Sequence, residues 1–191
     1  MNNRNTINCP KTYNEIAVAT AIAEFQMPSD IETGTLLRVL ARGKPKGRFL
    51  ELGTGTGLST AWILDGMDLE STLISVDNDI LCLKIASEFL GHDNRLELIN
   101  SDCEDWIIKN KHSKFDYIFA DTWHGKYLLL DETLEMLNIG GFYIVDDMLP
   151  QKNWPQGHAE KADHLISILE NRPDLLISKI SWSTGLIIAT K

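Results

Sequence analysis

The nine residues FADTWHGKY (119–127) place an acid, an indole and an imidazole, Asp121, Trp123 and His124, within four positions. An acid there can ligate a cation, and a histidine, mostly neutral at pH 7 with an ordinary pKa of about 6.5, can accept a proton. A second stretch, FLELGTGTGLST (49–60), sets Gly53, Gly55 and Gly57 at alternate positions, separated by Thr54 and Thr56. Glycines at that density let a backbone turn tightly and come close to a ligand at a helix N-terminus. Spacing narrows the ligand. A dinucleotide loop reads G-x-G-x-x-G, and its third glycine would fall on Leu58. This loop has no lysine to meet a phosphate and follows an acid, Glu51. A third stretch, GGFYIVDDML (140–149), carries the acid pair Asp146 and Asp147.

Positioning these residues requires strand ends. Five apolar runs read as strands: GRFLEL (47–52), STLISVD (71–77), RLELIN (95–100), KFDYIFA (114–120) and GFYIVD (141–146). Helix candidates lie between them at Leu58 to Leu64, Ile80 to Leu90, Cys103 to Lys109 and Lys126 to Leu137. Strand and helix in alternation imply a Rossmann-like, mostly parallel α/β sheet with helices on both faces, all strand C-termini lying on one rim. The last two β-rich runs, LLISKISW and LIIATK, are separated by STG alone, which is hairpin spacing, so a seven-stranded sheet ends in an antiparallel pair. The glycine loop, Asp77, Asp121 and the Asp146–Asp147 pair all fall at that rim. Residues 1–191 read as one domain, with an N-terminal helical segment (1–45) and an irregular stretch, LPQKNWPQGHAEK (149–161), long enough for an active-site lid.

With 191 residues, 43% of them hydrophobic, the chain can bury one sizeable core. A net charge of -9 opposes nucleic-acid binding, which rests on clustered Lys and Arg, and favours a small-molecule partner. Cys9, Cys82 and Cys103 are odd in number and lack metal spacing, so a reducing, cytoplasmic setting is expected. The Ala-rich run 16–23 is short for a signal peptide and is bracketed by Glu15 and Glu24. No run reaches the ~20 apolar residues of a membrane helix. The oligomeric state, a homodimer included, stays open.

The G-x-G-x-G loop preceded by Glu51, with Asp77 ending the next strand and a polar turn at Ser101 to Glu104, resembles the class I S-adenosylmethionine-dependent methyltransferases along nearly the whole chain. That resemblance implies that Glu51, Gly53 to Gly57 and Ser59 hold the methionine part of the cofactor. It gives the ribose hydroxyls to Asp77 and the adenine to Asp102, Cys103 and Glu104. Asp121, Trp123 and Tyr127, as Asp-x-Trp-x-x-x-Tyr, resemble the catechol and caffeoyl-coenzyme A type of O-methyltransferase. In that family the Asp is a metal ligand that also meets the cofactor site, the Trp stacks on adenine, and a Lys three residues after the Asp takes the acceptor's proton. Here that position is His124, which becomes the candidate base. The family's Asp-Asn after the fifth strand is Asp146–Asp147, so Asp121, Asp146 and Asp147 are expected to bind Mg²⁺ or Ca²⁺.

Other readings stay open. The glycines could serve helix packing alone, with Asp77 capping the following helix, and Asp121 could be a cap with Trp123 a half-buried core ring. His124 could be merely solvated, and Asp146–Asp147 could be a loop-capping pair. The expected activity is O-methylation of a small aromatic hydroxyl acceptor with a divalent metal. Its rivals are a metal-independent methyltransferase, with His124 or His158 moving the proton, and a non-catalytic cofactor-binding module.

Overall fold

The computed structural model describes residues 7–151 and 154–191. Residues 1–6 of the expected N-terminal segment, and Lys152 and Asn153 of the expected lid, lie outside them. Two helices, α1 (Tyr13–Ile22) and α2 (Ile31–Arg42), precede an alternation of β1 (Arg48–Leu52), α3 (Leu58–Gly66), β2 (Thr72–Asp77), α4 (Ile80–Leu90), β3 (Leu96–Asn100), α5 (Cys103–Asn110) and β4 (Phe115–Ala120). Then come α6 (Leu130–Glu135), β5 (Leu137–Val145), α7 (His158–Glu170), β6 (Leu176–Ile180) and β7 (Leu186–Thr190). The sheet order is β3-β2-β1-β4-β5-β7-β6, with the first five parallel and β7 antiparallel to both neighbours. Between β1 and β4 the order reverses, which is where open α/β sheets bind ligands.

The apolar runs explain the layers. Along a strand successive side chains face opposite sides, and these strands are apolar at both parities. Leu50, Leu52, Ile118 and Ala120 face the core under α5, α6 and α7, whereas Phe49, Tyr117 and Phe119 face the core under α1, α2 and α3. Each fully buried Leu, Ile or Phe there contributes about 1.5–3 kcal/mol. Asp30, Asp79 and Asp102 cap α2, α4 and α5 by accepting backbone N–H bonds. Asp79, not Asp77, therefore caps the helix after β2. No helix among the described residues is long and apolar enough to cross a membrane.

Three expected boundaries shift. The helix expected over Lys126 to Leu137 shrinks to α6, because Gly125 (φ 84) and Leu129 (φ 55) take left-handed conformations and the Tyr127 and Leu128 N–H groups bond back to the Trp123 carbonyl. β5 begins at Leu137 rather than 141, its pairing with β4 interrupted by a register shift between Phe115 and Tyr117. The expected lid stretch does not run to 161, because His158 opens α7. Its start is fastened: the Met148 and Leu149 N–H groups donate to the Gly185 and Thr184 carbonyls.

Candidate functional site

The ends of β1 and β4 meet closely. The Asp121 N–H donates to the Leu52 carbonyl at 2.9 Å, and a Cβ on Gly53 (φ 99) would stand 2.8 Å from the Asp121 carbonyl oxygen. Glycine is required by both backbone angle and space. The Gly55 N–H donates to Asp77 Oδ2 and the Asp79 N–H to Asp77 Oδ1, each at 2.8 Å, so one carboxylate orders the loop and the next turn. A carboxylate offers about four lone-pair sites, which leaves both oxygens able to accept from a ligand. Gly53, Thr54, Gly55, Thr56, Ser59 and Asp77 line a 280 Å³ cavity together with Phe25, Met27, Pro28 and Ser29. The Thr20–Thr56 hydroxyl pair, at 2.7 Å, ties α1 to this loop.

Three residues expected to touch a cofactor lie elsewhere: Glu104, which meets His124 but lines neither cofactor-side cavity, Glu51 and Gly57. Glu51 is 0% exposed beneath the loop, accepting from the Ser59 and Thr60 hydroxyls at 2.6 Å and from the Ser75 hydroxyl at 2.5 Å. Burial pushes its carboxyl up to about 7 against the pull of those three donors. Gly57 (φ 95) is the N-cap of α3, where a Cβ would stand 3.0 Å from Ala86 Cβ of α4. Glu51 and Gly57 hold the loop in place from outside its cavity.

Beyond Asp77, a 250 Å³ cavity is lined by Gly53, Asp77, Asn78, Asp102, Cys103, Thr122, Trp123 and His124. His124 is on this side. Its Nδ1 is 3.7 Å from Asp102 Oδ1 and its Nε2 is 3.6 Å from Glu104 Oε2. Burial pushes the Cys103 thiol up to about 12, so it is no nucleophile at neutral pH.

On the opposite side, a 390 Å³ cavity shares Met27, Pro28, Ser29, Asp121, Thr122 and Asp147 with the glycine-loop cavity. Four rings stand around it. Trp123 is 5.5 Å from Tyr127 and from His158, both edge-on, and Trp154 stacks on His158 at 4.2 Å. Tyr127 Oη and His158 Nε2 are hydrogen-bonded at 3.1 Å, and His158 Nδ1 is buried without a partner among the described residues. Trp123, 41% exposed, is not a core ring. The carboxylates expected to bind metal, Asp121, Asp146 and Asp147, line this cavity together. Burial, then the charges of Asp146 and Asp147, hold the Asp121 carboxyl well above the usual carboxylate range. Burial likewise raises Asp146 to about 6.

The residue that sequence reasoning missed is Lys126. It is 3% exposed, lines the aromatic cavity, and donates from Nζ to the Asp146 carbonyl oxygen at 2.5 Å. On a continuous helix from 126, nothing marks this side chain for the interior. The signal that could have found it is Gly125: a Cβ there would stand 2.4 Å from Leu52 Cδ1, so the chain turns tightly against β1 at this point and Lys126 follows it inward.

Lys126 bears on the metal expectation. Three carboxylates supply hard oxygen ligands suited to Mg²⁺ or Ca²⁺. However, Asp146 Oδ1 already accepts from the Thr184 hydroxyl and the Asp147 N–H, Asp147 is held at φ 58, and the Lys126 ammonium shares their cavity. Among the described residues, the group of acids and histidines whose ligand atoms lie within 4.8 Å of one another is Asp102, Glu104 and His124, not these carboxylates. The donor set around Lys126 does not fit a resident divalent ion.

Known proteins place this cleft in context. A protein of Mycobacterium sp. (strain KMS) named "Putative O-methyltransferase" is 30% identical over 92 residues, 46% of this chain and 42% of that protein, so the match spans less than half the relative's length. The O-methyltransferase of Bacillus cereus, solved in complex with SAH, superposes with a TM-score of 0.85 at 18% identity, covering 98% of this chain and 94% of that one. TomG of Streptomyces achromogenes, an O-methyltransferase of tomaymycin synthesis solved with SAM, superposes at 0.83 and 18% identity, covering 98% and 92%. At those identities the likeness is one of fold. Residues 50–148, from β1 to just past the Asp146–Asp147 pair, match the family model described as a methyltransferase domain. The chain belongs to the methyltransferase-domain family.

Proposed function

We propose that the chain is an S-adenosylmethionine-dependent O-methyltransferase acting on a small aromatic hydroxyl acceptor. The observation that carries this reading is one continuous cleft, in which a glycine-loop cavity opens past Asp121, Thr122 and Asp147 onto a cavity walled by Trp123, Tyr127, Trp154 and His158. The residues fit the cofactor: Asp77 keeps acceptor capacity for paired hydroxyls, the loop has no phosphate-binding lysine, and Trp123 offers a flat face beside Asp102 and Cys103. Bound there, S-adenosylmethionine supplies an electrophilic methyl group. The SAH and SAM held by the Bacillus and Streptomyces proteins support this assignment.

The chain's own work is on the acceptor. A free phenol titrates near 10 and is a poor nucleophile at pH 7. Asp121, made basic by burial and by Asp146 and Asp147, faces the aromatic cavity and can take the phenolic proton. Lys126 supplies positive charge beside the oxygen as it becomes anionic. The rings hold the acceptor flat and in line, and alignment is most of what methyl transfer needs. His124, on the far side of Asp77, belongs to the cofactor end rather than to this proton transfer.

Calorimetry with S-adenosylmethionine, S-adenosylhomocysteine and NAD tests the first half. Mass-spectrometric turnover over a panel of phenols, catechols and amines tests the second. Micromolar binding of the sulfur cofactors and methylated phenolic products are expected. Tighter NAD binding refutes the cofactor assignment, and tight S-adenosylmethionine binding without turnover makes the chain a binding module.

A further inference from the structure

We propose that Lys126 is the resident cation of the aromatic cavity: its ammonium occupies the role that the acid cluster would otherwise give to a divalent ion, and the chain takes no divalent metal there. The proposal rests on the methyltransferase reading only for the acceptor oxygen that the ammonium faces. Its basis is geometric. Lys126 is almost fully buried, lines the same cavity as Asp121, Asp146 and Asp147, and is tied by Nζ to the Asp146 carbonyl, the first residue past β5. Burial lowers the Lys126 ammonium from its ordinary range, and three carboxylates, Asp121 most strongly, act against that loss of charge.

The placement of Lys126 is built rather than incidental. Tyr143 Oη of β5 donates to the Gly125 carbonyl at 2.5 Å, and the Gly125 N–H donates to the Leu128 carbonyl at 2.7 Å. Gly125 itself is pressed against Leu52 of β1. The turn that carries Lys126 is thereby fixed to β5, which ends just before Asp146, and to β1. Meanwhile the Thr184 hydroxyl and the Asp147 N–H take up Asp146 Oδ1, so that Asp146 could offer a cation only its other oxygen. A divalent ion placed among these acids would share them with a second, fixed positive charge.

The test uses the full chain with S-adenosylhomocysteine present. Wild-type protein is titrated with Mg²⁺, Ca²⁺ and Mn²⁺ by calorimetry and thermal melting, and turnover is measured with excess chelator. No saturable heat, no metal-dependent rise in melting temperature and an unchanged rate are expected. Lys126→Met should lose about a hundredfold in turnover while keeping cofactor affinity within about twofold. It should also gain a saturable stabilisation by Ca²⁺ or Mg²⁺, because its carboxylates have lost their counter-ion. Lys126→Arg, which keeps a cation, should stay blind to metal. Saturable metal binding by the wild type that Asp121→Asn abolishes would overturn the proposal, as would a Lys126→Met protein that is as stable, active and metal-blind as the wild type. If Lys126→Met does not fold, the wild-type titration decides alone. A chain that binds no S-adenosylmethionine removes the methyltransferase reading while leaving the metal titration decisive for Lys126.

Discussion

Replacing Glu51 by Gln probes the least expected charge in the protein. Glu51 accepts three hydroxyl bonds, from Ser59, Thr60 and Ser75, in a fully buried position, and burial still lifts its carboxyl from the ordinary 4.5 to about 7. A raised carboxyl binds its proton more tightly when folded than when unfolded. Its stabilising contribution is therefore complete below about pH 4.5 and is lost as the pH rises through 7. The difference between 4.5 and about 7, at about 1.4 kcal/mol per pH unit, amounts to about 3 kcal/mol. Glu51→Gln mimics the protonated form and removes this dependence. Gln presents an NH₂ where Thr60 and Ser75 now donate, so the variant should be about 1–2 kcal/mol less stable at pH 4.5. It should then gain on the wild type by about 3 kcal/mol by pH 8. Asp146 is raised too and tilts both proteins alike, whereas Asp121, raised in small part by the Glu51 charge, cancels only after that smallest of its causes is removed. Urea unfolding of both proteins at half-unit pH steps measures it. Stability curves that run parallel from pH 4.5 to 8 would refute the reasoning and mean that the three hydroxyls keep Glu51 ionised throughout.

Two further tests separate neighbouring roles. Gly53→Ala combines a left-handed φ with a Cβ 2.8 Å from the Asp121 carbonyl oxygen, whereas Gly157→Ala (φ 84) meets nothing within 4 Å. Thermal melting should show the first costing at least about 2 kcal/mol and the second about 1 kcal/mol, and equal losses would mean that the β1–β4 contact relaxes freely. Asp77→Ala should weaken S-adenosylmethionine binding by about 1.5–3 kcal/mol, and His124→Ala should raise its KM while leaving kcat and its pH profile as in the wild type. A kcat that falls and loses its pH dependence in His124→Ala would return that histidine to the proton transfer.

Much of this protein is written in local pattern. Apolar runs such as Phe49–Leu52 and Tyr117–Ala120 mark strands buried on both faces, and the G-x-G-x-G loop after the first of them, with an acid ending the second, marks a ligand at the rim. The hairpin of β6 and β7 is legible in the three residues between its runs. Short-range physics suffices there, since side-chain alternation and turn chemistry are properties of neighbours in sequence. The errors fall where backbone conformation departs from period. Left-handed Gly125 and Leu129 cut the expected helix over 126–137 to six residues. The start of β5 hides behind Gly140 and Gly141, which read as a turn rather than as strand interior.

The sequence by itself thus determined the fold, the rim, the acids on it and the places of Asp77 and the glycine loop there. Tertiary structure alone decided which side of Asp77 each remaining residue occupies. His124 and Lys126 are two positions apart, yet one faces Asp102 and Glu104 and the other lines a cavity with Asp121, Asp146 and Asp147. Glu51 adjoins the loop in sequence and lies under it in space. The physical reason is that the state of a buried charge is set by the long-range meeting of strand ends that surrounds it, and no periodicity along the chain carries that information.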